Sequence, residues 1–305
     1  PMRRTPAGAK LVGLIALLSM IAACSSGDAP PPAPPPAPAP PPAPAPPPPS
    51  VERQINPQLT NAAITSDLAP HVVLNPDPAA PAAGRLFVML PGTAAVPTVY
   101  EDIVRRGARR GYHAIGLTYP NDDAVGVLCP GSGPADCAGA VRREVITGVD
   151  TSPLAAVDAA NSIDGRLLAL LNFLNANFPA EGWGRYVVNG AVDWSLVTVA
   201  GHSQGAGHSG FIAKLRDVNR VVMFSGPGDP GASWVDLPNV TAPARMFGFT
   251  HTADNLAPLD VVTRSWDGLE LDLFGAAASV DGANPPFGGS HQLLTSAAPN
   301  PNPTG

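Results

Sequence analysis

Apolar residues in this chain recur in two patterns, as short runs and as longer segments with helical spacing. Residues 163–178 place apolar side chains every three or four positions, which predicts a helix that ends before Pro179. Residues 96–110 predict a second helix, with Pro97 in its first turn. Short runs predict strands at residues 85–90, 112–119, 196–200, 219–224 and 244–249. Strands separated by helices indicate an α/β fold class, a mostly parallel central sheet with helices on both faces.

One short motif lies where a predicted strand meets a predicted helix. Residues 201–205 read Gly-His-Ser-Gln-Gly, after the strand at 196–200 and before a helical segment at 206–216. Small residues on either side of a serine allow a tight strand-to-helix turn, which presents the hydroxyl above the sheet. The motif therefore predicts that Ser203 is a nucleophile.

The order of the motifs resembles the α/β-hydrolase fold, a family of serine esterases and lipases. A strand ends in Leu-Pro-Gly-Thr at residues 90–93, the Gly-His-Ser-Gln-Gly turn follows, and acids and a histidine come last. The resemblance covers residues 85–298, and a long insertion at about 120–161, predicted to be irregular, departs from it. It implies a Ser-His-Asp triad that forms an acyl-serine intermediate and needs no cofactor.

The resemblance also assigns the triad partners of Ser203. The base is expected after the motif, which favours His291, in a glycine-rich loop before a predicted short helix, with His251 as the alternative. For the acid, Asp254 follows the strand at 244–249, after which most of the family carries its acid. Asp229 follows the preceding strand and is the alternative acid.

An acyl-transfer site also needs hydrogen-bond donors for the oxyanion that forms in the transition state. The resemblance implies that the backbone N–H of Gln204, directly after the nucleophile, is one donor. The second is expected from the loop after the strand at 85–90. We predict the N–H of Thr93 there, because Gly92 allows close backbone approach.

Two cysteines lie eight positions apart in a turn-rich loop of the insertion. Cys129 and Cys137 are expected to form a disulfide, with two free thiols as the alternative, and the insertion is a candidate cap over the site. No His-Glu-x-x-His sequence, glycine-rich phosphate loop or completed Cys/His set is present, so we expect neither a metal nor a nucleotide cofactor.

The first fifty residues predict export. Three basic residues precede an apolar run at 11–23 that ends in small residues before Cys24, which resembles a bacterial lipoprotein signal peptide. A transmembrane anchor is the alternative, but this run of thirteen residues is shorter than the roughly twenty that span a bilayer. We therefore expect residues 1–23 to be removed and a lipid on Cys24 to anchor the chain to the bacterial cell envelope.

Residues 30–49 contain only proline and alanine, fifteen of the twenty being proline. Such a segment predicts an extended polyproline II stalk of about 60 Å within residues 24–50, rather than a docking ligand for another domain. We then expect residues 51–305 to form one catalytic domain. Removal of the basic signal changes the formal net charge from -6 to -9, which argues against nucleic acid as a partner.

Together these features predict a lipid-anchored serine hydrolase, most specifically a carboxylic ester hydrolase acting on a small-molecule or lipid ester. Two alternatives remain open. One is a peptidase, thioesterase or acyltransferase that uses the same triad, because a triad does not choose the leaving group. The other is a binding or adhesion domain that keeps the fold without the chemistry. The sequence does not indicate an oligomeric state.

Overall fold

The computed structural model describes residues 51–130, 134–229 and 231–298. Cys24 and the predicted signal and stalk lie outside these residues. The strands of the described residues are β1 (Glu52–Ile55), β2 (His71–Leu74), β3 (Leu86–Leu90), β4 (His113–Gly116), β5 (Val187–Val188), β6 (Ala191–Val192), β7 (Val197–His202), β8 (Arg220–Phe224), β9 (Met246–His251), β10 (Ala278–Ser279) and β11 (Gln292–Thr295). The helices are α1 (Pro57–Thr60), α2 (Glu101–Arg109), α3 (Val125–Leu128), α4 (Cys137–Thr147), α5 (Ile163–Asn177), α6 (Gln204–Leu215) and α7 (Leu259–Gly268).

Nine strands form one sheet in the order β1-β2-β4-β3-β7-β8-β9-β11-β10. All neighbours from β4 to β10 are parallel, whereas β1 and β2 are antiparallel additions at one edge. Strands β5 and β6 pair separately as a small hairpin. This mostly parallel sheet confirms the predicted α/β class. Its strands β2, β4 and β7 are buried almost throughout, as expected of a sheet that is covered on both faces.

Helices cover both faces of the sheet. On one face, Val104 and Ala108 of α2 pack with Met89, Ala114 and Ala200 from the strands. On the other face, α4, α5, α6 and α7 enclose the larger core with Val88, Val199 and Val221. The central strands are therefore mostly apolar, as is typical of parallel strands between two helical layers.

The local pattern located most of the central elements. Helix α5 begins after Ser162, whose hydroxyl accepts a hydrogen bond from the N–H of Gly165 at 3.0 Å, and it ends before Pro179 as predicted. Strands β3, β4, β7, β8 and β9 lie within or overlap the predicted runs.

Two local predictions were wrong. The insertion at 120–161 is irregular in the sequence pattern, yet it contains the eleven-residue helix α4. Residues 292–295 do not begin a helix; they form strand β11, which pairs in parallel with β9 from Gly248 to His251. Pairing with an existing strand supplies the backbone partners of this short segment, and that tertiary contact overrides its weak helical pattern.

Candidate functional site

The turn between β7 and α6 is tight enough to require both of its glycines. A Cβ atom at Gly201 would lie 2.1 Å from the carbonyl oxygen of Gly205. A Cβ atom at Gly205 would lie 2.2 Å from the carbonyl oxygen of Leu90 in β3. Contacts this short with backbone atoms cannot be relieved by moving a side chain, so the turn and its approach to β3 depend on glycine.

Ser203 has an unusual backbone conformation at the tip of this turn. Its φ is 54° and its ψ is −115°, in a region that a residue with a side chain rarely adopts. Its N–H donates to the carbonyl oxygen of Phe224 at the end of β8, at 2.8 Å, which ties the turn to the neighbouring strand. The half-buried serine follows the carboxyl end of β7 and occupies the N-cap position of α6.

The two residues predicted to supply oxyanion donors lie beside each other. The hydroxyl of Thr93 donates to the side-chain carbonyl of Gln204 at 2.7 Å. Within the described residues, the backbone N–H groups of Thr93 and Gln204 have no hydrogen-bond acceptor. Both N–H groups are therefore available to a ligand at the amino end of α6, where the helix dipole favours negative charge.

A cavity of about 190 Å³ opens at Ser203. The residues that form its wall include Thr93, Gln204, Ser225, Leu256 and Val261. No described side chain lining this cavity is a histidine. The cavity thus brings together Ser203 and the two residues predicted to supply oxyanion donors, without the predicted base.

His291 lies below the carboxyl ends of the strands, where Ser203 lies. It directly precedes β11, which runs parallel to β9, and so lies near the amino ends of these two strands. By strand register, His291 is roughly 10 Å from the level of Ser203 along the strands and roughly 14 Å across them. Its ring stacks against Phe274 and Phe247, with centroids 3.8 and 4.1 Å away. The structure does not bring His291 to Ser203, because the residues after His291 form a strand instead of a helix.

His251, the alternative base, is the last residue of β9. Its Nδ1 accepts a hydrogen bond from the N–H of Ala253 at 3.0 Å, and its Nε2 lies 3.1 Å from the carbonyl oxygen of Ala297. Both ring nitrogens are therefore used by neighbouring backbone groups. Like His291, it does not line the Ser203 cavity.

Asp254 follows the carboxyl end of β9, and Ser203 follows the carboxyl end of the parallel strand β7. Its Oδ1 accepts hydrogen bonds from the N–H groups of Leu256 and Ala257, both at 3.0 Å. Partial burial acts to raise its pKa, but these bonds, the Ser225 hydroxyl and the charge of His202 hold the pKa of Asp254 below its ordinary value. Asp254 is therefore ionised at neutral pH and is placed to act on His202.

Asp229, the alternative acid, lines the Ser203 cavity but has another partner. Its two carboxylate oxygens accept hydrogen bonds from Nε and Nη2 of Arg142 at 2.6 and 2.9 Å. Oδ2 also accepts from the indole N–H of Trp234 at 2.9 Å. An aspartate held in this way forms a buried ion pair and is not oriented toward an imidazole.

His202 is the last residue of β7 and directly precedes Ser203. A Cβ atom placed on Gly92 would be 3.1 Å from Nδ1 of His202 and 3.3 Å from Cβ of Ser203, so these two atoms are at most 6.4 Å apart. Nδ1 is also 2.9 Å from the hydroxyl of Tyr100, which accepts from the N–H of Gly92 at 3.1 Å. Burial lowers the pKa of His202, and the charge of Asp254 opposes that shift.

The sequence carries little signal for these contacts. Tyr100 lies in a short 3₁₀ helix, Pro97–Tyr100, and Arg142 lies in a helix that the local pattern did not predict. Only the fold brings them to the turn at Ser203.

Cys129 and Cys137 are joined by a disulfide, with their Cα atoms 5.7 Å apart, as the sequence predicted. The bridge connects the end of α3 to the first residue of α4. In the part of the chain that the structure describes, no three His, Cys, Asp or Glu residues are grouped so as to hold a metal ion.

A comparison with known protein families and with curated proteins finds no match to this chain. The site is therefore interpreted from its own geometry. Among the described helices, none is both long and apolar enough to cross a membrane.

Proposed function

We propose that this protein is a serine hydrolase that cleaves carboxylic esters through an acyl-Ser203 intermediate. The observation that carries the proposal is the position of Ser203 at a strained turn, beside the unpaired N–H groups of Gln204 and Thr93 among the described residues. Strained residues over-determined by their surroundings are typical of functional sites. A hydroxyl next to two convergent N–H donors is the arrangement that acyl transfer requires.

In the proposed reaction, Oγ of Ser203 attacks the ester carbonyl carbon, and the negative charge that forms on the carbonyl oxygen is stabilised by the two N–H groups. The Oγ proton passes to an imidazole, which then protonates the departing alcohol as the C–O bond breaks. Water repeats the sequence on the acyl-serine and releases the acid. No cofactor takes part.

We assign the imidazole of this reaction to His202 in place of His291. His202 does not line the Ser203 cavity either, but its Nδ1 lies at most 6.4 Å from Cβ of Ser203, since the two atoms are 3.1 and 3.3 Å from one point beside Gly92. Asp254 also acts on the His202 ring electrostatically. The lowered pKa of His202 keeps the ring neutral at neutral pH, which is the form that accepts a proton. Asp254, rather than the ion-paired Asp229, is the carboxylate that stabilises the imidazolium.

Labelling of the purified full chain with a fluorophosphonate probe tests the nucleophile. We expect labelling of the wild type and none of Ser203→Ala, whereas Ser195→Ala, at an exposed serine whose hydroxyl donates to Asp193, labels normally. Hydrolysis of short-chain p-nitrophenyl esters is expected to follow the same order. Equal turnover by Ser203→Ala would remove the proposal.

Substitution of the histidines tests the base. His202→Gln is expected to lower kcat by at least about a hundredfold, the usual contribution of general base catalysis. His291→Gln and His251→Gln are expected to keep most of the activity. Loss of activity in folded His291→Gln, with His202→Gln active, reverses the assignment.

A second candidate function is a binding domain without catalysis. It is favoured by one observation, the lack of a histidine among the described side chains that line the Ser203 cavity. Absence of fluorophosphonate labelling in folded wild-type protein would support it. A labelled protein that cleaves amides or thioesters, or that transfers the acyl group, in preference to hydrolysing esters would instead identify the related activities of the same nucleophile.

We also propose that the protein is exported and anchored by a lipid on Cys24. The basic and apolar pattern of residues 1–23 supports this proposal, together with the disulfide of the catalytic domain. Disulfides persist in oxidising compartments outside the cytoplasm.

A further inference from the structure

Arg142 is almost completely buried beside the catalytic turn. Its side chain is 2% exposed and that of its partner Asp229 is 6% exposed. Beyond its two hydrogen bonds to Asp229, Arg142 donates from Nη1 to the backbone carbonyl oxygen of Gln204 at 3.2 Å. A buried guanidinium thus contacts the residue whose N–H is the proposed oxyanion donor.

The surroundings of Arg142 are shaped to hold it. A Cβ atom at Gly207 would lie 2.2 Å from the guanidinium carbon, so glycine at this position in α6 leaves the space that Arg142 fills. The guanidinium also lies over the ring of Trp234, whose centroid is 5.8 Å from the same carbon. Because both carboxylate oxygens of Asp229 are engaged, the guanidinium has one orientation.

This position is electrostatically expensive for a cation. The first turn of a helix carries partial positive charge, which disfavours an arginine near the start of α6. A buried ion pair often contributes no more to stability than well-packed apolar residues do. Stability alone therefore gives little reason for a charged pair here, whereas a fixed hydrogen bond to Gln204 requires a donor at this point.

Gln204 is consequently fixed from two sides. Thr93 binds its side-chain carbonyl, and Arg142 binds its backbone carbonyl. An oxyanion donor is effective only if it is oriented before the reaction begins. A shift of even about 1 Å in such a group can reduce a rate by two orders of magnitude.

We infer that Arg142 is a positioning residue for the oxyanion hole, and that Asp229 orients Arg142. The inference rests on the proposed function. Arg142 does not touch the reacting atoms; it acts by holding Gln204. Because α4 carries Arg142 and begins at the disulfide-bonded Cys137, the insertion at 120–161 contributes to the catalytic centre as well as bordering it.

Kinetics of Arg142→Lys test the inference, because lysine keeps the charge but cannot make the bidentate and third hydrogen bonds together. We expect kcat on p-nitrophenyl butyrate and the rate of fluorophosphonate labelling to fall between about tenfold and a hundredfold. KM is expected to change less than about threefold, since the oxyanion is present only in the transition state. Arg143→Lys, at the neighbouring half-buried position of α4, is the matched control and retains the wild-type rate.

A double variant separates positioning from folding. Arg142→Met with Asp229→Leu removes both charges, so no uncompensated ion remains buried, and it is expected to fold. The inference predicts the same loss of kcat in this folded variant. A folded double variant with wild-type kcat would overturn the inference. It would also be overturned if the activity lost in Arg142→Lys returned on cooling and tracked only the fraction of folded protein, because the loss would then come from unfolding.

Different results would reject the proposed function and the inference about Arg142. Wild-type protein that resists the fluorophosphonate probe and all acyl substrates rejects the hydrolase proposal and, with it, the role of Arg142. Reactive wild type with an unaffected Arg142→Lys rejects only the role of Arg142.

Discussion

The hydroxyl of Thr93 donates a 2.7 Å hydrogen bond to the side chain of Gln204, and so connects the loop after β3 to the first turn of α6. These segments are 111 residues apart in the chain. The bond fixes the positions of the two residues whose backbone N–H groups are proposed for the oxyanion hole relative to each other. Their mutual position is therefore a property of the folded sheet, in which β3 and β7 are parallel neighbours.

Thr93→Val tests this connection, because valine has the shape of threonine without its hydroxyl. Gln204 then loses one of its two anchors, and we expect kcat for ester hydrolysis to fall about tenfold with KM nearly unchanged. Thr93→Ser keeps the hydroxyl and is expected to retain the rate. If valine and serine at this position have equal kcat, the bond does not orient the oxyanion donors.

Gly205→Ala is expected to destabilise the protein by more than about 3 kcal/mol, because its Cβ would lie 2.2 Å from a backbone oxygen of β3. Gly126→Ala is the control, since a Cβ there meets no atom within 4 Å. Urea unfolding followed by circular dichroism measures both. A loss below about 1 kcal/mol for Gly205→Ala would show that β3 and the turn are not in close contact.

Removal of the disulfide is expected to lower the free energy of unfolding by about 2.5 kcal/mol, the loop-closure contribution for so short a loop. The bridge spans a sequence separation of 8. The Cys129→Ser, Cys137→Ser double variant should also lose ester hydrolysis, because α4 carries Arg142. Unchanged kcat in the folded double variant would show that α4 keeps its place without the bridge.

The free energy of unfolding is expected to decrease below about pH 6.5, the ordinary pKa of an unfolded histidine. Burial, and to a smaller degree the charge of Arg166, lower the pKa of His71 to about 3 in the folded protein. Between these values the unfolded chain binds more protons, so His71 stabilises the fold above about pH 6.5 and this contribution is lost as the pH falls.

His71→Asn tests that pH dependence, because the amide oxygen can replace Nδ1 as the acceptor for the N–H of Thr118. The slope between pH 6 and pH 4 is expected to decrease by up to about 1.4 kcal/mol per pH unit, as measured by denaturant unfolding. Parallel curves for the two proteins would contradict the assignment. Buried His208 contributes in the same direction in both.

Cys24→Ser is expected to release the protein from membranes of a bacterial host, because the lipid is attached to this sulfur. The wild type should partition into the detergent phase of a Triton X-114 extract, and the variant into the aqueous phase. A variant that remains in the detergent phase with residues 1–23 still attached would support an uncleaved anchor.

The sequence by itself determined the features that depend on near neighbours. The glycines on either side of Ser203, the helix at 163–177 and the pairing of Cys129 with Cys137 follow from local geometry, and each was predicted correctly. The resemblance to the α/β-hydrolase fold also implied that Gln204 and Thr93 would lie together, and their side chains are hydrogen-bonded.

Only the tertiary structure decided which charged and aromatic groups surround Ser203. The pairing of β11 with β9 places His291 at the amino end of β11, away from Ser203, although its loop resembled that of a catalytic base. The buried ion pair between Arg142 and Asp229 argues against Asp229 as the triad acid. Arg142 also gives the backbone carbonyl of Gln204 a hydrogen bond, in addition to the one that its side chain accepts from Thr93. These outcomes depend on strand register and on contacts between residues more than 40 positions apart, and neither leaves a pattern in the local sequence.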